Sequence, residues 1–189
     1  MNLQFLGDSY DILKKSFITW LSDFGRWSVH PMFTHEADPL TAGQFAKFLN
    51  ATIVSAERLR AGIDRAAYFE CCLSAPNLLV DPDKGVSLDA ISGAKSSRYI
   101  FRDELLRIIR ARPHRLTLVL DQNFSRTERA RMEESVRRKL SAFSAEGAFG
   151  FAYVSPAPVY CFAADPSLLI RAFEALKENS ALPPSRLIA

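Results

Sequence analysis

Cysteine is scarce in this 189-residue chain: an adjacent pair, Cys71 and Cys72, and a distant Cys161. That spacing suits neither a disulfide framework nor a C-x-x-C metal clip, so the three read as plain thiols. Histidine is equally rare, at His30, His35 and His114, and no H-x-x-x-H or Cys/His motif accompanies them. His30, directly before Pro31, reads as a strand residue whose ring bonds a neighbour. No G-x-S-x-G elbow supports a serine nucleophile, and the dinucleotide fingerprint G-x-G-x-x-G is absent. Gly93-Ala94-Lys95-Ser96-Ser97 is similar to the end of a phosphate-binding loop, but the adjacent Gly-Lys and the upstream glycine are missing. No apolar run approaches the roughly 18 to 20 residues a membrane helix needs, and Met1 to Gly7 has no basic region followed by an apolar stretch. The expectation is a cytoplasmic protein with no membrane partner.

What is present suits a packed core: 48% hydrophobic residues, with 11% aromatics, in a length that favours one domain over residues 1–189. The net charge is only +3, but it is unevenly spread. Between Lys95 and Lys139 thirteen Lys or Arg face six Asp or Glu, an excess of +7 that leaves −4 for the rest. Such a region can contact nucleic acid. It is also what a solvated helix face looks like when Glu128, Glu133 and Glu134 are mixed among arginines.

Helical spacing links Tyr10, Leu13, Phe17, Trp20, Leu21 and Phe24, with Asp8 or Ser9 as cap and Gly25 as stop. Ahead of it, Asn2 to Leu6 reads as a short strand. Strands are predicted around Trp27 and Val29, over Thr52 to Ser55, Asn77 to Val80, Tyr99 to Phe101 and Leu116 to Leu120. Phe149 to Val154 and Val159 to Ala163 read as a pair. Helices are predicted from Asp38-Pro39 or Thr41 to Leu49, from about Glu57 to Cys72, after a cap at Asp103, around Met132 to Phe143, and from Asp165-Pro166. Strands alternating with helices predict an α/β fold: a single three-layer αβα domain, its sheet mostly parallel with an antiparallel C-terminal hairpin. Ligands of such sheets collect beyond the carboxyl ends of the strands.

At that edge the sequence delivers acids. Asp8 and Asp11, Asp81 and Asp83 in the turn Asp81-Pro82-Asp83-Lys84-Gly85, and Asp121 all follow predicted strands. Asp8, Asp81, Asp83 and Asp121 are candidate ligands for Mg²⁺ or Mn²⁺, which prefer oxygen and keep waters for a phosphate substrate. Asp8, Asp11, Asp81 and Asp83 are candidate catalytic groups, and Lys14, one helical turn from Asp11, could neutralise a phosphate. The same residues also serve as helix caps and turn formers, with Asp8 at a helix start and Asp81, Asp83 and Asp121 bonding backbone amides. The aromatics Phe149, Phe151 and Tyr153 alternate along one strand, better explained by a buried sheet face than by base stacking.

The segments Phe5-Leu6-Gly7-Asp8-Ser9-Tyr10-Asp11-Ile12-Leu13-Lys14 and Leu79-Val80-Asp81-Pro82-Asp83-Lys84-Gly85 resemble an uncharacterised family of small bacterial proteins with G-D-x-x-D-x-x-K and D-P-D-x-G motifs. In that family the strand here ending Asp121-Gln122-Asn123 more often ends in Gln-His, so Asn123 is a departure. More distantly, the motif order resembles the Rossmann-like methyltransferases of ribosomal-RNA adenine, which carry a D-P-P-[YF] loop after a central strand. Asp83 and Lys84 replace its second proline and aromatic, and no glycine lies between Trp27 and Asp38 to form a loop for S-adenosylmethionine. The leading expectation is a nucleotide- or nucleic-acid-directed enzyme, of the metal-dependent phosphodiester-hydrolysing kind. The alternatives are a methyltransferase-like protein, active or degenerate, and a non-catalytic accessory domain binding nucleic acid or protein through Lys95 to Lys139.

Overall fold

The computed structural model describes residues 6–36, 38–122, 128–155 and 157–189. The strand expected over Asn2 to Leu6 falls almost wholly outside them. Helix α1 (Ser9–Trp20) is capped by Asp8, whose carboxylate accepts the amides of Tyr10 and Asp11. A 3-10 turn over Ser22–Phe24 follows, and Gly25 closes it at φ 108°. Strand β1 (Trp27–His30), helix α2 (Pro39–Leu49, capped by Asp38) and the two-residue β2 (Thr52–Ile53) come next.

The helix expected from Glu57 to Cys72 is much shorter: α3 covers Arg65–Tyr68, and a 3-10 turn spans Glu70–Cys72. Gly62 at φ 82° breaks the segment, and Asp64 restarts it by accepting the amides of Ala66 and Ala67. After β3 (Asn77–Val80) the Asp81 turn leads into β4 (Gly85–Ser87), a strand that the composition of its loop concealed. β4 pairs in parallel with β5 (Tyr99–Phe101) as a separate small sheet, beyond the 3-10 helix Gly93–Arg98. Helix α4 (Arg102–Ala111) is capped at Phe101 rather than at Asp103, because Glu104 reaches back to accept the Phe101 amide at 2.8 Å. Then come β6 (Thr117–Leu120), α5 (Arg129–Ser144), β7 (Phe149–Tyr153), β8 (Val159–Ala163), α6 (Pro166–Ser180, capped by Asp165) and a closing β9 (Leu187–Ile188).

The main sheet runs β2-β1-β3-β6-β8-β7-β9. β2, β1, β3 and β6 are mutually parallel, whereas β8 is antiparallel to both β6 and β7. The final pair therefore enters with β8 inward, and β9 supplies the margin. Alternate strand residues divide the core into two. Trp27, Val29, Leu79, Leu118 and Leu120 pack with Phe17, Phe45, Leu49 and Leu176 of α1, α2 and α6. Leu78, Val80 and Val119 pack with Tyr68, Ile108, Ile109, Val136 and Phe143 of α3, α4 and α5. This is the expected three-layer α/β arrangement, Rossmann-like, produced by strands apolar on both faces. Phe151 is buried on the first of these faces, with Phe149 and Tyr153 partly buried beside it.

Asn77 anchors the amino edge. Its Oδ1 accepts the Leu116 amide at 2.9 Å, and its Nδ2 donates to the Phe24 carbonyl at 2.9 Å. The opposite edge, where β1, β3 and β6 end, is left to the polar loops.

Candidate functional site

Helix α1 runs up to the sheet so that its first turns lie over the carboxyl end of β3. There Lys14 is buried between two carboxylates: its ammonium donates to Asp11 Oδ1 at 2.8 Å and to Asp81 Oδ2 at 2.7 Å. Asp11 Oδ2 also accepts the Gly7 amide at 2.9 Å. All three side chains are at most 3% exposed. Asp81 is held by its backbone as well, donating its amide to the His30 carbonyl at 3.0 Å.

The triad has an uneven electrostatic balance. Burial works to lower the Lys14 ammonium, but the attraction of Asp81 and Asp11 outweighs it and holds the group above its usual 10.5. Asp81 moves the other way for a carboxyl: burial raises it, and neighbouring Asp11 adds to the rise against the pull of Lys14. The two directions agree, since one ammonium shared by two buried carboxylates satisfies neither fully.

The triad forms the floor of a cleft of about 590 Å³, also lined by Asp8, Tyr10, Thr34, His35, Asp83, Ser97, Arg98 and Gln122. Asp83 accepts the Thr34 hydroxyl at 2.9 Å and lies 3.8 Å from the Arg98 guanidinium. Arg98 comes from the 3-10 helix before β5, a wall positioned by Arg65. That guanidinium meets Glu104 with two bonds, at 2.5 and 2.8 Å, and donates to the carbonyls of Ser96 and Tyr99.

Of the residues singled out in the sequence, Asp8, Asp11, Lys14, Asp81 and Asp83 line this one cleft. Asp8 is there as a helix cap, Asp11 and Asp81 as partners of Lys14, and Asp83 as partner of Thr34 and Arg98. Asp121 is placed elsewhere. It is fully buried, pairs with Lys139 of α5 and packs against Gly85, while its neighbour Gln122 faces the cleft. Of the four carboxylates considered as ligands for Mg²⁺ or Mn²⁺, Asp8, Asp81 and Asp83 therefore share the cleft and Asp121 does not. Lys14 already supplies a cation to Asp81, and Lys139 supplies one to Asp121. Among the described residues no acidic group of three draws its oxygens together as an all-protein ion cage requires.

Among the described basic side chains of Lys95 to Lys139 only Arg112 and Lys139 are buried, and several of the exposed ones pair with acids at the surface. Arg107 pairs with Glu70, Arg110 with Glu146, Arg129 with Glu133, and Lys139 with Asp121. Arg112, 4% exposed, donates to the carbonyls of Ile108 and Pro76. Lys95, Arg115, Arg137 and Arg138 remain exposed at the surface.

A second convergence was invisible in the sequence: His30, Cys71 and Cys72 meet on the other face of the sheet, with one potential ligand atom from each within 4.8 Å of the others. Forty residues separate the histidine from the cysteines, so no spacing motif could signal it. Cys71 is pulled well below an ordinary thiol by a hydrogen bond from Cys72 and by the nearby His30 ring. No family model, curated protein or solved structure matches the chain.

Proposed function

We propose that this chain is an enzyme that acts on a nucleotide or nucleic acid in the carboxyl-edge cleft, breaking a phosphodiester bond with Asp11, Lys14 and Asp81 as its reactive centre. The observation that carries the reading is Lys14, a buried ammonium on the cleft floor pinned by carboxylates from separate segments. Buried ion triads are poor stabilisers, because desolvation offsets most of the attraction. As preorganised electrostatics beside a cleft they are effective. An ammonium has three donors, and the two carboxylates use two of them. The third suits a phosphate oxygen on which negative charge builds. A carboxyl raised by burial, as Asp81 is, takes and returns protons nearer neutral pH than an ordinary one. Arg98 on the wall offers a forked donor to a second phosphate oxygen.

The experiment is a cleavage assay of the purified chain on nucleic-acid and nucleotide diesters, with Mg²⁺, Mn²⁺ or chelator in parallel. Asp81→Asn is expected to lower turnover by about 10² to 10⁴-fold, and Arg98→Ala to raise KM while the fold is kept. A folded Asp81→Asn variant as active as the parent removes the proposal, as does a parent that cleaves nothing in any arm.

One observation favours a methyltransferase-like second reading. β8 is inserted antiparallel between β6 and β7 of a Rossmann-like sheet, a frame compatible with the methyltransferases that the motif order resembles. The residues after β1 offer no glycine for close approach to an adenosyl ligand. Thermal shift with S-adenosylmethionine separates the readings: at a hundred times its Kd a ligand adds about 2.7 kcal/mol of stability, whereas the first reading expects no shift.

A further inference from the structure

On the sheet face opposite the cleft, β1 ends at His30, whose imidazole is fully buried. Tyr68 packs edge-on against the ring at 4.9 Å between centroids, and Phe69 lies tilted at 5.3 Å. Nδ1 accepts the Met32 amide at 3.4 Å, but Nε2 has no hydrogen-bond partner. Packed interiors rarely leave a polar atom in that state. The free thiols of Cys71 and Cys72 stand beside it, Cys72 fully buried and Cys71 half-buried.

We propose that His30, Cys71 and Cys72 form a binding site for one Zn²⁺ ion. Zinc takes imidazole nitrogen at about 2.0 Å and thiolate sulfur at about 2.3 Å in tetrahedral geometry. Those lengths put neighbouring ligand atoms roughly 3.5 to 3.8 Å apart. The three atoms already lie within 4.8 Å of one another, so closure needs an inward shift of about 1 Å, which small rotations of the cysteine side chains supply.

Charge argues for the same ion. Two thiolates and a neutral imidazole around a divalent cation sum to zero, which is the state a buried site favours. Binding takes off any proton the thiols still carry, so affinity rises with pH, and it moves the imidazole proton from Nε2 to Nδ1, which gives up the bond from the Met32 amide. Thiolate and imidazole are soft and borderline donors that select zinc over Mg²⁺ or Ca²⁺. Three protein ligands leave a fourth position, and the half-buried Cys71 gives water a route to it. The ion would tie the end of β1 to the segment carrying Arg65, and through Arg65 to the wall of the cleft. None of this depends on the reaction proposed above.

The test uses the full chain, prepared metal-free under a non-chelating reductant, titrated with Zn²⁺ against a chromogenic chelator and separately with Co²⁺ as a spectroscopic stand-in. One equivalent of Zn²⁺ should be retained, and the Co²⁺ form should show tetrahedral visible bands with thiolate charge-transfer absorption. Cys71→Ser, a near-isosteric change at the half-buried position, should weaken Zn²⁺ by roughly 100-fold or more and dim the charge-transfer band while the circular dichroism stays that of the parent. His30→Gln should likewise abolish one-equivalent binding. Failure to retain zinc, retention undiminished in Cys71→Ser, or capture of Cu⁺ where Zn²⁺ is refused would each overturn the assignment.

Discussion

A methyl group on Gly85 would lie 2.1 Å from Oδ1 of Asp121. Gly85 also sits at φ 120°, where side chains are strained, and Asp121 cannot retreat because its carboxylate is buried against Lys139. The glycine of the D-P-D-x-G turn is thus fixed by packing against the next strand's exit. Gly85→Ala should destabilise the protein by about 3 to 5 kcal/mol, measured as a fall in the urea midpoint with an unchanged slope. A variant within 1 kcal/mol of the parent, roughly the error of such comparisons, would show that the two strand ends are not packed this way.

Removing the cation of the cleft floor should be costly for a different reason. Lys14→Met leaves Asp11 and Asp81 buried without their ammonium, a loss of about 3 to 5 kcal/mol. Adding Asp11→Asn and Asp81→Asn to it neutralises the set and should recover most of that loss. Chemical denaturation of the single and triple variants checks both halves, and a triple variant no more stable than the single one would contradict the account.

Lys14 also sets an alkaline limit. Its pKa in the folded protein is raised above 10.5, so its contribution is complete below that value and is lost as pH rises through the folded pKa. The stability difference between the parent and Lys14→Met should therefore be constant near neutrality and shrink above about pH 10.5. Denaturation curves taken along a pH series read the difference directly; a gap that widens with alkali has the wrong sign.

Arg65 organises the cleft wall through geometry that lysine cannot copy. Its fork spans both oxygens of Glu104 and two main-chain carbonyls, with its side chain 19% exposed and that of Glu104 16%. Arg65→Lys should lower stability by about 1 to 3 kcal/mol. Amide exchange should rise first in Gly93–Arg98, the segment that carries Arg98. Exchange confined to other segments would separate Arg65 from the wall.

The legible part of this molecule was written locally. Alternation at Trp27 and Val29 located β1, short apolar runs located β3, β6, β7 and β8, and the Asp-Pro pairs at Asp38 and Asp165 marked the helix starts correctly. The shift of the α4 cap from Asp103 to Phe101 turns on Glu104, whose reach back to an upstream amide is a choice between two plausible caps. β4 was hidden because its three residues pair only with β5, and β9 because two residues carry no period. The loss of helix between Glu57 and Asp64 follows from a single glycine whose backbone sign no composition reveals. At the site, strand order explains why Asp81 and Asp83 share a cleft with Asp8, Asp11 and Lys14. Whether Asp121 would point to that cleft or behind it depended on one residue of phase: Gln122 took the outward place. The meeting of His30 with Cys71 and Cys72 needed tertiary structure outright.

Both margins of the main sheet are strands of two residues, Thr52–Ile53 and Leu187–Ile188. A foreign strand seeking to extend the ladder from β2 or β9 would find only a couple of rungs there, too few to repay the entropy of ordering it. Short margins of this kind are one way in which a sheet with strands apolar on both faces discourages edge-to-edge pairing.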